Sequence, residues 1–378
     1  MQSVPPSTIP VPAVVPLPRP ALRSAPPPTV TDDAAVGEDA PNPVPIAKTA
    51  VPEVPADLVD RPGLRAALAG APGVVLVCAP AGYGKSLLLA DWARTDTTSD
   101  TAWVGVDHGD NDPRRLWAAV VAALAGCPSV PASSRLHAPW DWPAATRPEF
   151  LAELVHTLQS LPRPIRLVLD DVHELVDPEV LRGVEMLVRN RPAGLQIVMS
   201  SRFDPPLALP RLRLAGGLWE LRDDRLRFSA AEAATLLERS GLRLEPAEVE
   251  LLHQRTGGWA AGLRLASVAV AKAPDRDEFL TDFSGDERSI ADYLAGEILA
   301  RLPADILEFL RVISVSDPIP WQLAAELSGR EDAGHLLDGL EHTTGLITAT
   351  GRRRDEYRVQ AMLRTYLAAD LHRQGPTR

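Results

Sequence analysis

One short segment of the sequence has the spacing of a phosphate-binding loop. Residues 79–86 read APAGYGKS, which matches the pattern G-x-x-x-x-G-K-[ST] at every defined position except the first, where Ala79 replaces glycine. The backbone N–H groups of such a loop, together with the N-terminus of the following helix, bind phosphate oxygens. We therefore expect Lys85 to contact the β- and γ-phosphates of a nucleotide and the Ser86 hydroxyl to bind Mg²⁺.

The flanking residues provide the context that this chemistry requires. Val74–Cys78 is a short apolar run typical of a buried parallel strand, and Ser86–Arg94 has the pattern of a helix. Alanine is acceptable at position 79 unless that residue needs a positive φ angle. An incidental glycine turn is the alternative, but the strand before the loop and the helix after it favour a nucleotide site. The residues expected to surround the phosphates are Ala79, Pro80, Ala81, Gly82, Tyr83, Gly84, Lys85, Ser86 and Leu87.

Two aspartates follow a second apolar segment, IRLVLDDVHEL. Because ligands of open α/β sheets bind at the carboxyl ends of the strands, we expect Asp170 and Asp171 at the same edge as the loop. We expect Asp170 to hold Mg²⁺ through water and Asp171 to polarise the attacking water. Alone, the pair is equally compatible with capping of the next helix, but together with the loop it indicates phosphate chemistry. For His173 we expect a structural role.

A third polar group ends the apolar segment QIVMSSR at Ser200, Ser201 and Arg202. We expect Arg202 to contact the γ-phosphate, because a rigid, permanently charged guanidinium suits an oxygen-rich terminal phosphate. The alternative for this arginine is an ion pair with a surface carboxylate.

The composition limits the possible partners. The chain has 378 residues, enough for two or three domains, and a net charge of −11, so it is a poor nucleic-acid binder by itself. Its only cysteines, Cys78 and Cys127, lie in apolar contexts, which suggests buried thiols in a reducing compartment. The sequence has neither a secretion signal nor an apolar run long enough to span a bilayer. We therefore expect a cytoplasmic location and no membrane partner.

Shifts in composition divide the chain into regions. Fifteen of its 37 prolines fall within residues 1–55, which predicts a disordered proline-rich leader. Alternating strands and amphipathic helices predict a P-loop nucleotide-binding domain over residues 56–225. Its further predicted strands are Thr101–Val106, Ile165–Leu169, Leu195–Ser200 and Leu218–Leu221.

The remainder of the chain has mainly helical patterns. We predict a helical domain over residues 226–302, whose first helix has Ser229 as N-cap and Glu232 three residues later. Three helices followed by the hairpin LITATGRRRDEYRVQ predict a winged-helix-like domain over residues 303–371, with a tail at 372–378. The predicted fold class is α/β, a P-loop NTPase parallel sheet followed by a helical and a winged-helix-like domain.

Taken in order, these segments resemble the ATPase region of the large MalT-like, LuxR-type transcriptional regulators, within the STAND class of signalling P-loop NTPases. The resemblance extends from about Val54 to Leu371. Besides the phosphate loop and LVLDDVHEL, it rests on DRPGLRAAL, AWVGVDHGDNDPRRLWAAVVAAL, SSRFDPPLALPRLRLAGGLWELRDDRLRFSAAEAATLL and TGGWAAGLRLA. An alanine at the first position of the loop also occurs in that family.

The resemblance implies a switch controlled by ATP and ADP, in which the three regions close over ADP at rest. An inducer would then permit ATP binding and self-association. The resemblance also implies that Arg61 and Pro62 lie near the adenine. Gln360 stands where relatives carry a histidine that can face the phosphates; glutamine can donate a hydrogen bond but cannot become cationic.

Relatives continue into a helical sensor and a DNA-binding helix-turn-helix, whereas this sequence ends at Arg378. We therefore expect an ATP-binding and weakly hydrolysing signalling module of such a regulator, without specific DNA binding of its own. Two alternatives stay open. One is a nucleotide-binding scaffold without significant turnover, which the residue at position 360 makes plausible. The other is a P-loop phosphotransferase, which would need an acceptor pocket and an arginine-bearing lid in place of the long helical region.

Overall fold

A computed structural model describes residues 43–373, with the exception of 272, 274, 284–286 and 352. Most of the predicted leader, residues 1–42, therefore lies outside the described residues, as does the end of the predicted tail, 374–378. No helix in the described part of the chain is long and apolar enough to cross a lipid bilayer.

The last part of the predicted leader is folded. Residues Ile46–Thr49 form helix α1, and the Lys48 ammonium lies 2.6 Å from carboxylate oxygens of both Asp107 and Asp110. Asp110 is fully buried, so this ion pair anchors the segment to the following domain. The prediction of disorder is therefore wrong for residues 43–55, because proline content does not report such long-range contacts.

A parallel sheet forms the first half of the described chain. Its strand order is β2-β3-β4-β1-β5, and every strand pair is parallel. Strands β1 and β3 are buried at every residue, and the unbroken apolar sequence of β1 is the pattern expected inside a parallel sheet. The strands are β1 (Val74–Cys78), β2 (Asp100–Gly105), β3 (Ile165–Asp170), β4 (Leu195–Ser201) and β5 (Leu218–Leu221).

Two helices of this half begin at a capping aspartate that is followed by a proline. Asp112 and Asp177 accept hydrogen bonds from backbone N–H groups of the first turns that follow, and both precede a proline at the first helical position. The sequence analysis did not predict α2. The helices are α2 (Pro62–Ala69), α3 (Lys85–Thr95), α4 (Pro113–Ala125), α5 (Pro148–Gln159), α6 (Pro178–Arg189), α7 (Leu209–Leu214) and α8 (Asp223–Leu226).

The helical region follows directly. Ser229 and Glu232 form the predicted capping box at the start of α9. Near the end of this region, helix α13 (Arg288–Tyr293) is followed by a π-helical turn, Leu294–Ile298, and a 3₁₀ turn, Leu299–Arg301. Apolar periodicity does not distinguish these hydrogen-bond patterns over such short stretches. The α-helices are α9 (Ala230–Arg239), α10 (Pro246–Thr256), α11 (Ala260–Val270), α12 (Arg276–Asp282) and α13 (Arg288–Tyr293).

The last region has the predicted winged-helix arrangement. Three strands form an antiparallel sheet in the order β6-β8-β7, and the predicted hairpin is β7 and β8. The final helix was not predicted, and it includes the first two residues of the predicted tail. The elements are α14 (Ala304–Ile313), β6 (Ile319–Pro320), α15 (Trp321–Ser328), α16 (Ala333–Thr344), β7 (Ile347–Thr350), β8 (Glu356–Val359) and α17 (Ala361–Arg373).

Alternate residues of β1 enter two hydrophobic cores, one on each face of the sheet. Val74 and Leu76 pack into the core that α4, α5 and α6 cover. Val75 and Val77 belong to the other core, which continues through the helical region and into the winged helix. The face of the sheet that packs against α3 is therefore continuous with both C-terminal regions.

A buried cation interrupts the apolar strand β3. Arg166 is 2% exposed, donates to Asp96 at 2.6 Å, and stacks on the Trp92 ring with its guanidinium carbon 3.6 Å from the ring centroid. It also donates to the side chains of Thr101 and Gln196. A buried charge of this kind is stable only when it is paired and hydrogen-bonded.

We predict that Asp96→Asn lowers the free energy of unfolding by about 3 kcal/mol, because it leaves the Arg166 charge buried without a counter-ion. Urea denaturation measures the change. The control is Glu185→Gln in the exposed pair with Arg189, where about 0.5 kcal/mol is expected. Equal losses of unfolding free energy at the two positions would show that the buried pair stabilises the fold no more than the exposed pair does.

Candidate nucleotide-binding site

The segment 79–86 forms a tight loop between β1 and α3. Gly82 and Gly84 have φ angles of 79° and 76°, in the left-handed region that glycine adopts without strain. Ala79 is not among the described non-glycine residues with positive φ, and its N–H donates to the carbonyl of Ser201 at 3.2 Å. The alanine at the first position is therefore compatible with the loop conformation.

Lys85 is the first residue of α3 and is 7% exposed. Its ammonium donates to the carbonyls of Ala79 and Pro80, at 2.7 and 3.1 Å, so the side chain folds back along the loop. Burial lowers the pKa of Lys85 to about 8, and the nearby carboxylate of Asp171 opposes this shift. A bound polyphosphate would add negative charge beside this cation.

Ser86 and Asp170 lie together, as the sequence predicts for a shared Mg²⁺. The Ser86 hydroxyl donates to Asp170 Oδ1 at 3.0 Å. A hydroxyl and a carboxylate are the oxygen ligands that Mg²⁺ takes at phosphate sites, where it keeps several waters. No group of three or more His, Cys, Asp and Glu residues suited to a metal occurs among the described residues, so an all-protein metal cage is not formed there. The residues present fit a magnesium ion shared with phosphates.

Ser200 is a site residue to which the sequence analysis gave no role of its own. Its hydroxyl donates to Asp170 Oδ1 and accepts from the backbone N–H of Asp171, the latter at 2.9 Å. Strands β3 and β4 are neighbours in the sheet, which brings these ends together. The polar end of an otherwise apolar strand was the available signal.

Asp171 has a φ angle of 64°, which is uncommon for a residue with a side chain. Burial and the adjacent Asp170 raise the pKa of Asp171 above the usual aspartate value. The ring of His173 lies 3.7 Å from its carboxylate, and burial lowers the pKa of His173 to about 4. His173 is therefore neutral at physiological pH, and its ring packs edge-on against Phe203.

Arg202 follows β4 and contacts the helical region. Its Nη1 donates to the carbonyl of Glu297, in the π-helical turn, at 3.3 Å. No ion pair of Arg202 occurs among the described residues, so the alternative of a surface ion pair is not observed there.

A cavity of about 340 Å³ lies beside the phosphate loop. Three parts of the chain form its mainly apolar walls: the segment before α2, the loop with α3, and the helical region. Its size and position suit a nucleotide base. Representative lining residues are Leu58, Val59, Tyr83, Leu87, Phe228 and Ala261.

Arg61 lines this cavity, but its guanidinium is bonded to protein groups. It donates to the Glu232 carboxylate at 2.8 Å and to the carbonyls of residues 225–227. It also stacks on Phe228, 5.0 Å from the ring centroid. Arg61 thus holds the segment that supplies the cavity wall, while Pro62 begins α2.

Gln360, which the resemblance places opposite the phosphates, caps α17. Its side-chain oxygen accepts from the backbone N–H of Leu363 at 2.7 Å. No described contact joins this side chain to the loop. The winged helix instead touches the loop through Gly345, because a Cβ there would lie 2.7 Å from the Arg202 carbonyl oxygen and 3.4 Å from Pro80.

Two protein-family models match separate parts of this chain. Residues 69–202 match the model of an AAA domain, and residues 295–378 match the model of the MalT winged helix domain. The first match contains the phosphate loop and both aspartates, and the second contains the elements of the antiparallel sheet.

Curated relatives are similar over most of this chain. It is 30% identical over 309 residues to the serine/threonine-protein kinase PknK of Mycobacterium tuberculosis H37Rv, a match that covers 81% of this chain and 28% of the relative. It is 29% identical over 288 residues to the HTH-type transcriptional regulator MalT of Cronobacter sakazakii, covering 75% of this chain and 32% of the relative. The chain thus spans less than a third of either relative.

A solved structure supports the fold. The Walker-type ATPase of Pyrococcus abyssi superposes with a TM-score of 0.60 at 14% identity, covering 83% of this chain and 97% of that one. The predicted fold class and the predicted resemblance to the ATPase region of MalT-like regulators are both confirmed. The similar region occurs in relatives named as a kinase and as a transcriptional regulator, so the region by itself specifies neither activity.

We predict that Arg61→Ala lowers the free energy of unfolding by about 3 kcal/mol, because the Glu232 carboxylate and the carbonyls of 225–227 lose their charged donor. Arg61→Lys should recover less than half of this loss, since one ammonium cannot replace a planar fork. Urea denaturation of both variants is the measurement. Full recovery by lysine would show that only the positive charge matters.

Proposed function

We propose that this chain is the ATP- and ADP-binding switch module of a MalT-like signalling regulator, with weak ATPase activity. One observation carries the proposal: the phosphate loop contacts both the helical region and the winged helix. Trp259, in front of α11, donates to the Ala81 carbonyl at 3.0 Å, and Gly345 packs on Pro80 and the Arg202 backbone. A change in the phosphates bound by the loop would therefore act directly on both C-terminal regions.

The polar groups supply the chemistry of nucleotide binding and hydrolysis. Lys85 would bind the β- and γ-phosphates, and Ser86 with Asp170 would hold Mg²⁺, which neutralises phosphate charge. Asp171 would orient the attacking water; its raised pKa brings the carboxylate closer to the range that suits a general base. The loop residues 79–87 would contribute backbone N–H groups.

Arg202 would bind the γ-phosphate of ATP. Its observed acceptor, the Glu297 carbonyl, engages one of the five guanidinium N–H donors, so the others can bind phosphate oxygens. A charge-assisted bond to phosphate is stronger than this neutral contact. Movement of Arg202 towards ATP would release the π-helical turn, and opening of this kind would permit self-association in the ATP state.

Turnover distinguishes this switch from the two alternatives. A nucleotide scaffold would bind ATP without hydrolysis, and the amide of Gln360, which cannot become cationic, is compatible with that outcome. A phosphotransferase would accelerate phosphate loss only when an acceptor is present. With a net charge of −11, we propose that the chain does not bind DNA specifically by itself.

We predict that Lys85→Ala abolishes measurable ATP and ADP binding without unfolding the protein, because the loop loses its only ammonium group. Isothermal titration calorimetry in Mg²⁺ is the measurement. The matched control is Arg163→Ala, an exposed cation just before β3, at the opposite edge of the sheet, which should leave affinity unchanged. Unaltered ATP affinity in Lys85→Ala would overturn the proposed site.

We predict different effects for the two aspartates. Asp170→Asn should weaken ATP binding in Mg²⁺ about tenfold and leave binding in EDTA unchanged, because only the metal is lost. Asp171→Asn should lower kcat about a hundredfold with little change in affinity, as expected for loss of a general base. Phosphate release and calorimetry measure the two quantities. Identical behaviour of the two variants would contradict the division of roles.

A further inference from the structure

Two hydrogen bonds join the helical region to consecutive carbonyls of the phosphate loop. The indole N–H of Trp259 donates to the Ala81 carbonyl, and the backbone N–H of Ala261 donates to the Gly82 carbonyl, both at 3.0 Å. These donors lie just before α11 and in its first turn. Neither hydrogen bond is needed by the chemistry of the proposed site.

A held carbonyl determines the direction of the amide that follows it. Because the peptide unit is planar and trans, its C=O and N–H point in opposite directions. With the Ala81 carbonyl held by Trp259, the N–H of Gly82 points away from α11. That N–H has no hydrogen-bond acceptor among the described residues. An oriented amide without a protein acceptor is the group that a phosphate loop offers to its anion.

The contact leaves little space for the loop to rearrange. A Cβ at Gly82 would lie 2.6 Å from the Ala261 side chain and 2.7 Å from the indole nitrogen of Trp259. Trp259 is 1% exposed, and its ring lies 5.7 Å from that of Tyr293, centroid to centroid. Gly262 also fits closely under the indole, since a Cβ there would be 2.5 Å from the ring. The indole is therefore confined on several sides.

We propose that Trp259 is a positioning residue of the nucleotide site: its indole N–H holds the Ala81 carbonyl so that the Gly82 amide faces the phosphates. This inference rests on the proposed function, because it assumes that the loop binds phosphate. Movement of α11 would then directly affect the binding of phosphates. When α11 leaves the loop, the Ala81–Gly82 peptide is released and the affinity for phosphates falls.

The test is Trp259→Phe, which keeps an aromatic ring in the pocket and removes the N–H donor. The dissociation constants for Mg²⁺·ATP and for ADP should rise together about tenfold, as expected for one lost hydrogen bond at the loop. Adenosine, which has no phosphate, should bind with unchanged affinity. A role limited to packing of the cavity would weaken adenosine binding as well, so that result would overturn the inference.

The matched control is Trp140→Phe. Trp140 is also buried, its indole N–H has no partner among the described residues, and it packs on Arg135 and Phe150 away from the loop. This variant should leave all three affinities unchanged. Equal weakening of ATP binding in both variants would show a general loss of stability and would overturn the assignment.

A second substitution decides the matter if Trp259→Phe does not fold. Incorporation of β-(3-benzothienyl)alanine at position 259 keeps the shape of the indole and removes only the N–H. The same loss of ATP and ADP affinity, with adenosine binding retained, is expected. Unchanged ATP affinity would overturn the inference about Trp259 while leaving the proposed function intact, whereas absence of nucleotide binding by the wild-type chain would overturn the proposed function itself.

Discussion

The loop between β1 and α3 curls tightly, and this geometry constrains everything that touches it. Gly82 has a positive φ angle and no room for a side chain, because Trp259 and Ala261 occupy the adjacent space. The winged helix approaches from another direction, where Gly345 contacts Pro80. A short loop with two sets of close neighbours cannot change conformation without moving at least one of them.

The charged groups in and beside the same loop lack full partners among the described residues. Lys85 is buried with a pKa lowered to about 8, and its ammonium donates to two neutral carbonyls. Asp170 accepts from two hydroxyls, and the pKa of Asp171 is raised. These groups are stabilised only in part by one another. Under the proposed function, phosphates and Mg²⁺ would supply the missing opposite charges, which would link nucleotide binding to the stability of this region.

Much of this site was predictable, because the chemistry of phosphate binding depends on local spacing. The loop, the strand before it and the helix after it are contiguous in the chain, and so their pattern predicts their geometry. The same holds for the capping box of Ser229 and Glu232 and for the prolines that begin α4 and α6. Ser86 and Asp170 are 84 residues apart, yet the carboxyl ends of parallel strands meet at one edge of a sheet.

The sequence by itself therefore determined the phosphate loop, the fold class and the order of the regions, since each depends on local patterns of polarity and turn residues. Only the tertiary structure decided which distant groups meet that loop. It engages Arg61 with backbone carbonyls, makes Gln360 a helix cap, and joins Trp259 to Ala81 across 178 residues. Such contacts arise from packing between regions, and the two partners carry no shared pattern in the chain. Packing is a property of the folded surface, which local spacing does not encode.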